Sequence, residues 1–426
     1  MTLNLILVLM GMGVVAGVPI AWCLLVPSFL YLFTNGIPLS SAIGRMSGSL
    51  NSFTLMAVPF FLLAGSLMNS GGLTTKLIDF TKCLVGHLRG GLAQVNVAGN
   101  MIFAGMSGSA VADAGGLGSV LIKPMKEDGY SGPFAAALTA AAATLGPLIP
   151  PSIPMVIYGV MAEESVGRLF LGGAMPGILL GLLMMVMVRF IPQTKAAKVY
   201  PRARWADFRR TTPTGMLALM MPVVVLAGIA VGFFTPTEAA AVAAVYAAAV
   251  SGVFLRLFTK ESLKTALVDS MLVTANVLLI VAASAIFGWI LAREGATSTL
   301  GAWIDSLHLS PTALLVMISA LVIFLGCFLE GISILIVLTP VLLPIVQSAG
   351  IDPVYFGVLF VYLVNIGLVT PPMGLVLFVV CDISGEKLDE TARAILIFYL
   401  PMLVMLAAMI LCPPVITWLP DLVFNK

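Results

Sequence analysis

Charge is what this chain has least of. Only 9% of its 426 residues are Asp, Glu, Lys or Arg, against 60% hydrophobic. A soluble domain of that length needs far more charge to cover its surface. Histidine is almost missing: His87 and His308 stand alone, which argues against a histidine-based metal centre. The cysteines Cys23, Cys83, Cys327, Cys381 and Cys412 are scattered, with neither metal-ligand spacing nor disulfide-like pairing. HExxH, GxSxG and a phosphate-binding glycine loop do not occur, so no ATPase, no obvious hydrolase and no enzyme is expected. The formal net charge of +2 comes from basic residues held in loops and carries no nucleic-acid signature. Met1-Thr2-Leu3-Asn4 lacks the basic start of a cleavable signal, and the apolar run behind it reads as an uncleaved first span.

What is there is apolar length. Runs of about 20 apolar residues recur along the chain, each enough for roughly 30 Å of hydrocarbon. The short alternating strands of a membrane barrel are absent. The fold class is an all-α polytopic membrane protein.

Residues 3–33 and 49–69 read as spans. Between 70 and 90, Leu73, Leu77, Phe80, Leu84 and Leu88 recur at spacings of three and four among Lys76, Asp79, Lys82 and Arg89, the pattern of an interfacial helix. Segments 92–106 and 110–122 flank Ser107-Gly108-Ser109; at about 15 residues, roughly 22 Å, each is too short to cross alone. They read as a re-entrant hairpin. Residues 133–160 are interrupted at Thr144-Leu145-Gly146-Pro147-Leu148-Ile149-Pro150-Pro151, where proline forbids a continuous helix. Spans follow at 165–189, 213–233, 238–256 and within 259–292, then a short amphipathic piece around Leu300, Trp303, Ile304 and Leu307. A second hairpin, 311–325 and 332–344, flanks Gly326–Gly331. A second broken helix, 354–380, is interrupted from Asn365 to Pro372, and a last span covers about 394–419. Thr235, Pro236 and Glu238 form a capping box, which gives Glu238 a capping reading beside a transport one.

The two halves match at an offset near 220: Pro124 with Pro344, Pro133 with Pro353, Pro151 with Pro371, and Ser107 with Cys327. With the amino terminus inside, the loops 70–91, 121–132, 189–212, 256–266 and 381–393 are cytoplasmic and hold 17 of the 21 lysines and arginines. The second half then starts from the opposite side, so the repeat is inverted. The expected divisions are scaffold spans 1–69, an arm helix 70–90, a first transport half 91–189, a loop and linker span 190–233, scaffold spans 234–292, an interfacial helix 293–310 and a second transport half 311–426.

Inverted repeats with interrupted helices at matching places point to the binding site of a secondary transporter. Each helix after a tip aims its amino terminus at the bilayer midplane, which favours an anion. Unwound carbonyls, with the hydroxyls of Ser107, Ser109, Thr144 and Thr370, are hard neutral oxygens suited to Na⁺. One cation is expected between the first tip and 144–147, a second between the other tip and 367–371. Asp113 reads either as a functional carboxylate or as a helix-end stabiliser, and Glu330 divides the same way. Ser152 either reaches the site or caps the next half-helix.

The runs Gly105–Asp113, Gly146–Pro154, Thr235–Ala240 and Gly367–Gly374 resemble the large membrane subunit of TRAP transporters, the tripartite ATP-independent periplasmic family of the ion transporter superfamily. The resemblance spans essentially the whole chain. It implies an elevator-type, Na⁺-driven importer of carboxylates, such as C4-dicarboxylates or sialic acid, in the bacterial inner membrane. It also implies two partners, a small four-helix membrane subunit and a periplasmic substrate-binding protein. No span precedes Met1, so the small subunit is expected on a separate chain. Carried over, the sodium ligands fall on Ser107, Gly108, Ser109, Thr144, Gly146 and Pro147, and on Gly326, Glu330, Gly331, Gly367, Thr370 and Pro371. Substrate contacts fall on Ser107, Ser109, Asp113, Pro150, Ser152 and Gly331. Where many relatives carry Asp at the second tip, this chain has Glu330. The alternative is a stand-alone symporter of the divalent anion/sodium type, which needs no binding protein.

Overall fold

Breaks in the helices, more than the helices themselves, position the site. In the computed structural model, which describes residues 3–70, 73–196, 198–255 and 258–424, every regular element among the described residues is helical. The expected span 3–33 is two helices, α1 (Leu3–Val15) and α2 (Ile20–Thr34). Gly17 takes φ +75° and Pro19 offers no N–H, so the helix stops between them. The amphipathic α3 (Leu39–Leu50), absent from the sequence reading, meets α4 (Ala57–Ser70) at a 64° bend. The interfacial stretch is α5 (Leu73–Val85), which buries Leu73, Leu77 and Phe80 as its periodicity requires.

Hairpin one is α6 (Gly91–Ser107) and α7 (Ala110–Glu127), and the first broken helix is α8 (Gly132–Ala143) and α9 (Ile153–Ala162). Then come α10 (Val166–Phe190), the short α11 (Gln193–Ala196), α12 (Trp205–Ala230), α13 (Pro236–Ala248, prolonged as a π-helix to Phe254), α14 (Lys260–Arg293) and α15 (Ala296–Ser306). Hairpin two is α16 (Pro311–Gly326) and α17 (Gly331–Ser348); the second broken helix is α18 (Pro353–Leu368) and α19 (Leu375–Ser384). The chain closes with α20 (Leu388–Ile395), α21 (Tyr399–Leu411) and α22 (Pro414–Phe424).

Proline explains most departures from the expected boundaries. α7 runs through Pro124 and α17 on past Pro344, so the second helix of each hairpin is longer than expected. α17, with 18 residues, is by itself long and apolar enough to span. α12 starts at Trp205 instead of 213, running through Pro213 where the span was expected to begin. Membrane helices tolerate such interruptions when neighbours satisfy the freed carbonyls. The opposite happens at Cys412-Pro413-Pro414, where Cys412 leaves the helical region and the expected span 394–419 divides into α21 and α22.

Among the described residues, six helical stretches are long and apolar enough to cross a bilayer, or seven if α3–α4 is one bent span. The chain is a multi-pass membrane protein. One group of helices packs α4 against α13 and α14, with α2 and α3 also on α14. The other group joins the hairpins to the broken helices. α7 lies on α8, and α16 on α18; across the halves α17 packs on α9, and α19 on α7 and α8. The alanine-rich α8 is buried almost throughout, and its small side chains let backbones approach where lipid offers no hydrophobic drive. Asn96 Nδ2 donates to Thr139 Oγ1 at 2.7 Å, tying α6 to α8 with a bond of about 0.6 kcal/mol in such a setting. At the base of hairpin one, Lys126 pairs with Glu386 beyond α19 at 2.6 Å.

Candidate functional site

Tip one is built by three small residues. α6 ends because Gly108 turns left-handed at φ +61°, and extended Ser109 starts α7, its Oγ accepting the Ala112 N–H at 3.4 Å. A Cβ at Gly108 would lie 2.6 Å from the Pro151 carbonyl oxygen and 3.1 Å from the Ile153 nitrogen. Tip one therefore sits directly on the first helix break. Within that break Thr144 Oγ1 donates to Ala141 O at 2.7 Å. Ser152 Oγ donates to Pro147 O and accepts the Met155 N–H at 3.3 Å, so Ser152 is the cap of α9.

Asp113 lies behind this tip. It is completely buried, one carboxylate oxygen accepts the Ser107 hydroxyl, and Oδ2 has no hydrogen-bond partner. A Cβ at Gly146 would stand 2.3 Å from that Oδ2, so the break presses its backbone against the bare oxygen. Ser107, Asp113 and Gly146 thus come together, while the buried Pro150 faces Gly105 with its carbonyl.

Tip two closes on its own break in the same manner but with different chemistry. A Cβ at Gly326 would lie 2.7 Å from Gly367 Cα, and one at Gly367 2.5 Å from Gly326 Cα. Only paired glycines allow that approach. Cys327 O accepts the Gly374 N–H at 3.0 Å, and the carbonyls of Leu368 and Thr370 converge beside Gly374. Thr370 Oγ1 donates to Ile366 O at 2.6 Å. Pro371 continues the break, and Pro371–Pro372, like Pro150–Pro151, is a cis bond. Glu330 caps α17: one oxygen accepts the Ile332 N–H at 3.0 Å, the other the Ser333 N–H at 2.9 Å and the Ser333 hydroxyl at 3.0 Å.

The two tips face one cavity of about 240 Å³. Gly108, Ser109 and Val111 line it from hairpin one, Pro147, Ile153 and Pro154 from the first break, and Glu330, Gly331 and Ile332 from hairpin two. Val364, Asn365 and Leu368 from α18 and Leu375 from α19 complete that side, with Leu62 of α4 and Val273 of α14 as the remaining wall. A larger cavity of about 670 Å³ adjoins it between the α1–α2 break, α14 and tip two, with Val273, Glu330 and Ile332 common to both.

Of the residues expected from sequence, Gly108, Ser109, Pro147, Glu330 and Gly331 reach the small cavity. Ser107, Asp113, Thr144, Gly146, Pro150 and Ser152 lie in the packing behind the cavity face of tip one, Gly326 and Gly367 in the contact between tip two and its break, and Thr370 and Pro371 within that break. Asn365 was missed as a site residue. Its buried amide, donating to Val361 O at 2.8 Å, lines the cavity, and a lone Asn in an apolar helix just before a break was the available signal. Glu238 accepts the Thr235 N–H at 2.8 Å in a complete capping box. Among the described residues no three His, Cys, Asp or Glu gather as a metal-binding group.

With this geometry in hand, the comparisons with known proteins agree. Residues 4–415 match the family model described as tripartite ATP-independent periplasmic transporter, DctM component. The chain belongs to this family. It is 40% identical to the sialic acid TRAP transporter large permease protein SiaM of Vibrio cholerae, over 96% of each chain. It is 39% identical to the C4-dicarboxylate TRAP transporter large permease protein DctM of Pseudomonas aeruginosa, covering 87% of this chain and 86% of that one. Its fold is similar to the Alcanivorax borkumensis YdaH transporter, with a TM-score of 0.65 at 16% identity, covering 90% of this chain and 88% of that one. This chain is a TRAP transporter large permease.

Proposed function

We propose that this permease imports an organic acid with sodium ions, by moving the hairpins and broken helices as one body against a scaffold. The cavity shared by both tips and both breaks carries this reading. Its remaining wall comes from α4 and α14, which belong to the other helix group. In this account 1–69 and 234–292 are the scaffold, 70–90 and 293–310 the arms, 190–233 the linker, and 91–189 with 311–426 the moving body. Hairpin and break recur in the same order in each half, and the second half of each broken helix packs on the opposite hairpin, which supports an inverted repeat.

The cation sites follow from the donor chemistry. At tip one the ligands would come from Ser107, Gly108 and Ser109 and, across the break, from Thr144, Gly146 and Pro147; the observation behind this is that Gly146 lies against Ser109 and the unpartnered, buried Asp113 oxygen. A buried carboxylate oxygen among carbonyls and hydroxyls fits a hard monovalent cation. At tip two, the touching Gly326 and Gly367 bring hairpin and break to backbone distance, next to the Leu368 and Thr370 carbonyls. Sodium here is a co-transported substrate, and filling both sites fixes each tip to its break. The acid then lies in the cavity, against Ser109 at the start of α7 and Gly331 at the start of α17. Sialic acid and C4-dicarboxylates, named for two relatives, are both carboxylates. A tripartite system supplies two further components: here, a small membrane subunit and a periplasmic binding protein, in the bacterial inner membrane with the amino terminus inside.

The test is uptake of a radiolabelled organic acid into proteoliposomes carrying the permease with its small subunit. A sodium gradient with the binding protein present drives uptake. Uptake on a proton gradient without sodium overturns the ion assignment, and sodium-driven uptake without the binding protein favours a stand-alone symporter.

A further inference from the structure

The two ends of the cavity differ in the group they present to it, a serine hydroxyl at tip one and a carboxylate at tip two. At tip one a neutral serine caps α7, and its hydroxyl takes only the Ala112 N–H. The first-turn carboxylate of α7, Asp113, is held behind the tip on the Ser107 hydroxyl and does not line the cavity, so no carboxylate stands between a ligand and the free N–H groups that open α7. At tip two the Glu330 carboxylate already occupies the Ile332 and Ser333 N–H groups. That carboxylate outweighs the half charge of α17 and turns the same end of the cavity negative. Among the described residues, no Lys, Arg or His lines either cavity to offset it. With sodium held by the buried Asp113, Glu330 is the carboxylate that a ligand meets in the cavity.

Glu330 also stands in the wall between the two cavities, so a ligand extending from the smaller into the larger one passes its carboxylate. Carboxylate oxygens accept hydrogen bonds and repel anions. A ligand group beside Glu330 is therefore an uncharged donor, and Asn365 and Asn276 supply amides on the same path.

We infer that this permease selects a hydroxylated monocarboxylate, its carboxylate at tip one and its hydroxyls at Glu330, and discriminates against dicarboxylates. The inference rests on the reading of the cavity as a carboxylate site and narrows it to a substrate class. Glu330 acts as the specificity-determining residue.

The test uses the detergent-purified permease with its small subunit in sodium chloride, followed by thermal unfolding. The probes are gluconate (a polyhydroxy monocarboxylate), succinate (a C4-dicarboxylate) and butyrate (a monocarboxylate without hydroxyls). Gluconate is expected to stabilise the complex at concentrations about tenfold below those needed for the other two, because like charges at a binding surface are strongly disfavoured. Glu330→Gln removes the repulsion and brings the succinate and gluconate midpoints together, whereas Glu330→Asp keeps charge and cap and preserves the preference. Succinate or butyrate as effective as gluconate, or a preference unchanged in Glu330→Gln, overturns the inference while leaving the carboxylate site standing. No stabilisation by any of the three acids overturns the carboxylate site itself.

Discussion

Tip one and tip two solve the same packing problem with different end groups. Each joins two helices through a short turn, each presses a glycine into a proline-interrupted helix, and each starts a helix at the shared cavity. At tip one the cap is Ser109, and the carboxylate, Asp113, is withdrawn behind the turn onto Ser107. At tip two the carboxylate is itself the cap, and it lies on the cavity wall. In this account a hidden carboxylate serves the cation and an exposed one serves ligand choice. The family relationship alone does not contain that distinction, because it depends on where each side chain lies relative to the cavity.

The largest expected effects come from the glycines that let tips and breaks meet. Gly108→Ala forces a left-handed residue to carry a Cβ 2.6 Å from Pro151 O, and Gly326→Ala inserts one 2.7 Å from Gly367 Cα. Overpacking and backbone strain of this kind cost about 1–3 kcal/mol. Each variant is expected to weaken sodium-dependent stabilisation about tenfold or more, measured as the sodium midpoint in thermal unfolding. An unchanged midpoint for one of them removes that tip from the ion-binding role.

The next test separates Asp113 from mere proximity. Gly146→Ala brings a methyl within 2.3 Å of Asp113 Oδ2. In the background of Asp113→Ala the same substitution meets no carboxylate, so the double-mutant cycle is expected to show a coupling of about 1–3 kcal/mol in stability. Additive effects would mean that the two do not press on each other.

Smaller effects test the caps. Ser109→Ala removes a neutral N-cap and is expected to cost about 1 kcal/mol in unfolding free energy. At the bottom of the scale Gly115→Ala, on the same helix, meets nothing within 4 Å. It is expected to be neutral or slightly stabilising in the same unfolding assay, as helix propensity favours alanine by up to about 1 kcal/mol. A large loss there would show that tip one responds to any change in α7, not to contact with its break.

Both hairpin tips and both breaks were legible in the sequence, because hydroxyls, glycines and paired prolines stand out against apolar helix. The Thr235–Glu238 box was equally legible, as capping is a local affair. Proline misled where it acts by context: Pro124, Pro213 and Pro344 sit inside helices, whereas Cys412-Pro413-Pro414 ends one. The break at Gly17–Pro19 hid inside a long apolar run, since hydropathy alone does not register a left-handed glycine. Within the site, the residue types were readable and their facing was not. Nothing in the spacing of Asp113 and Glu330 says that one points behind its tip and the other into the cavity; tertiary packing decides it.

Equilibrium binding of radioactive sodium to the purified permease complex tests the central claim, that each tip and its break form a cation site, most directly. The account predicts two ions bound per permease chain, one in Gly108→Ala or in Gly326→Ala, and none when both substitutions are combined. Sodium binding of unaltered stoichiometry in the combined variant, if it still unfolds cooperatively, would contradict it.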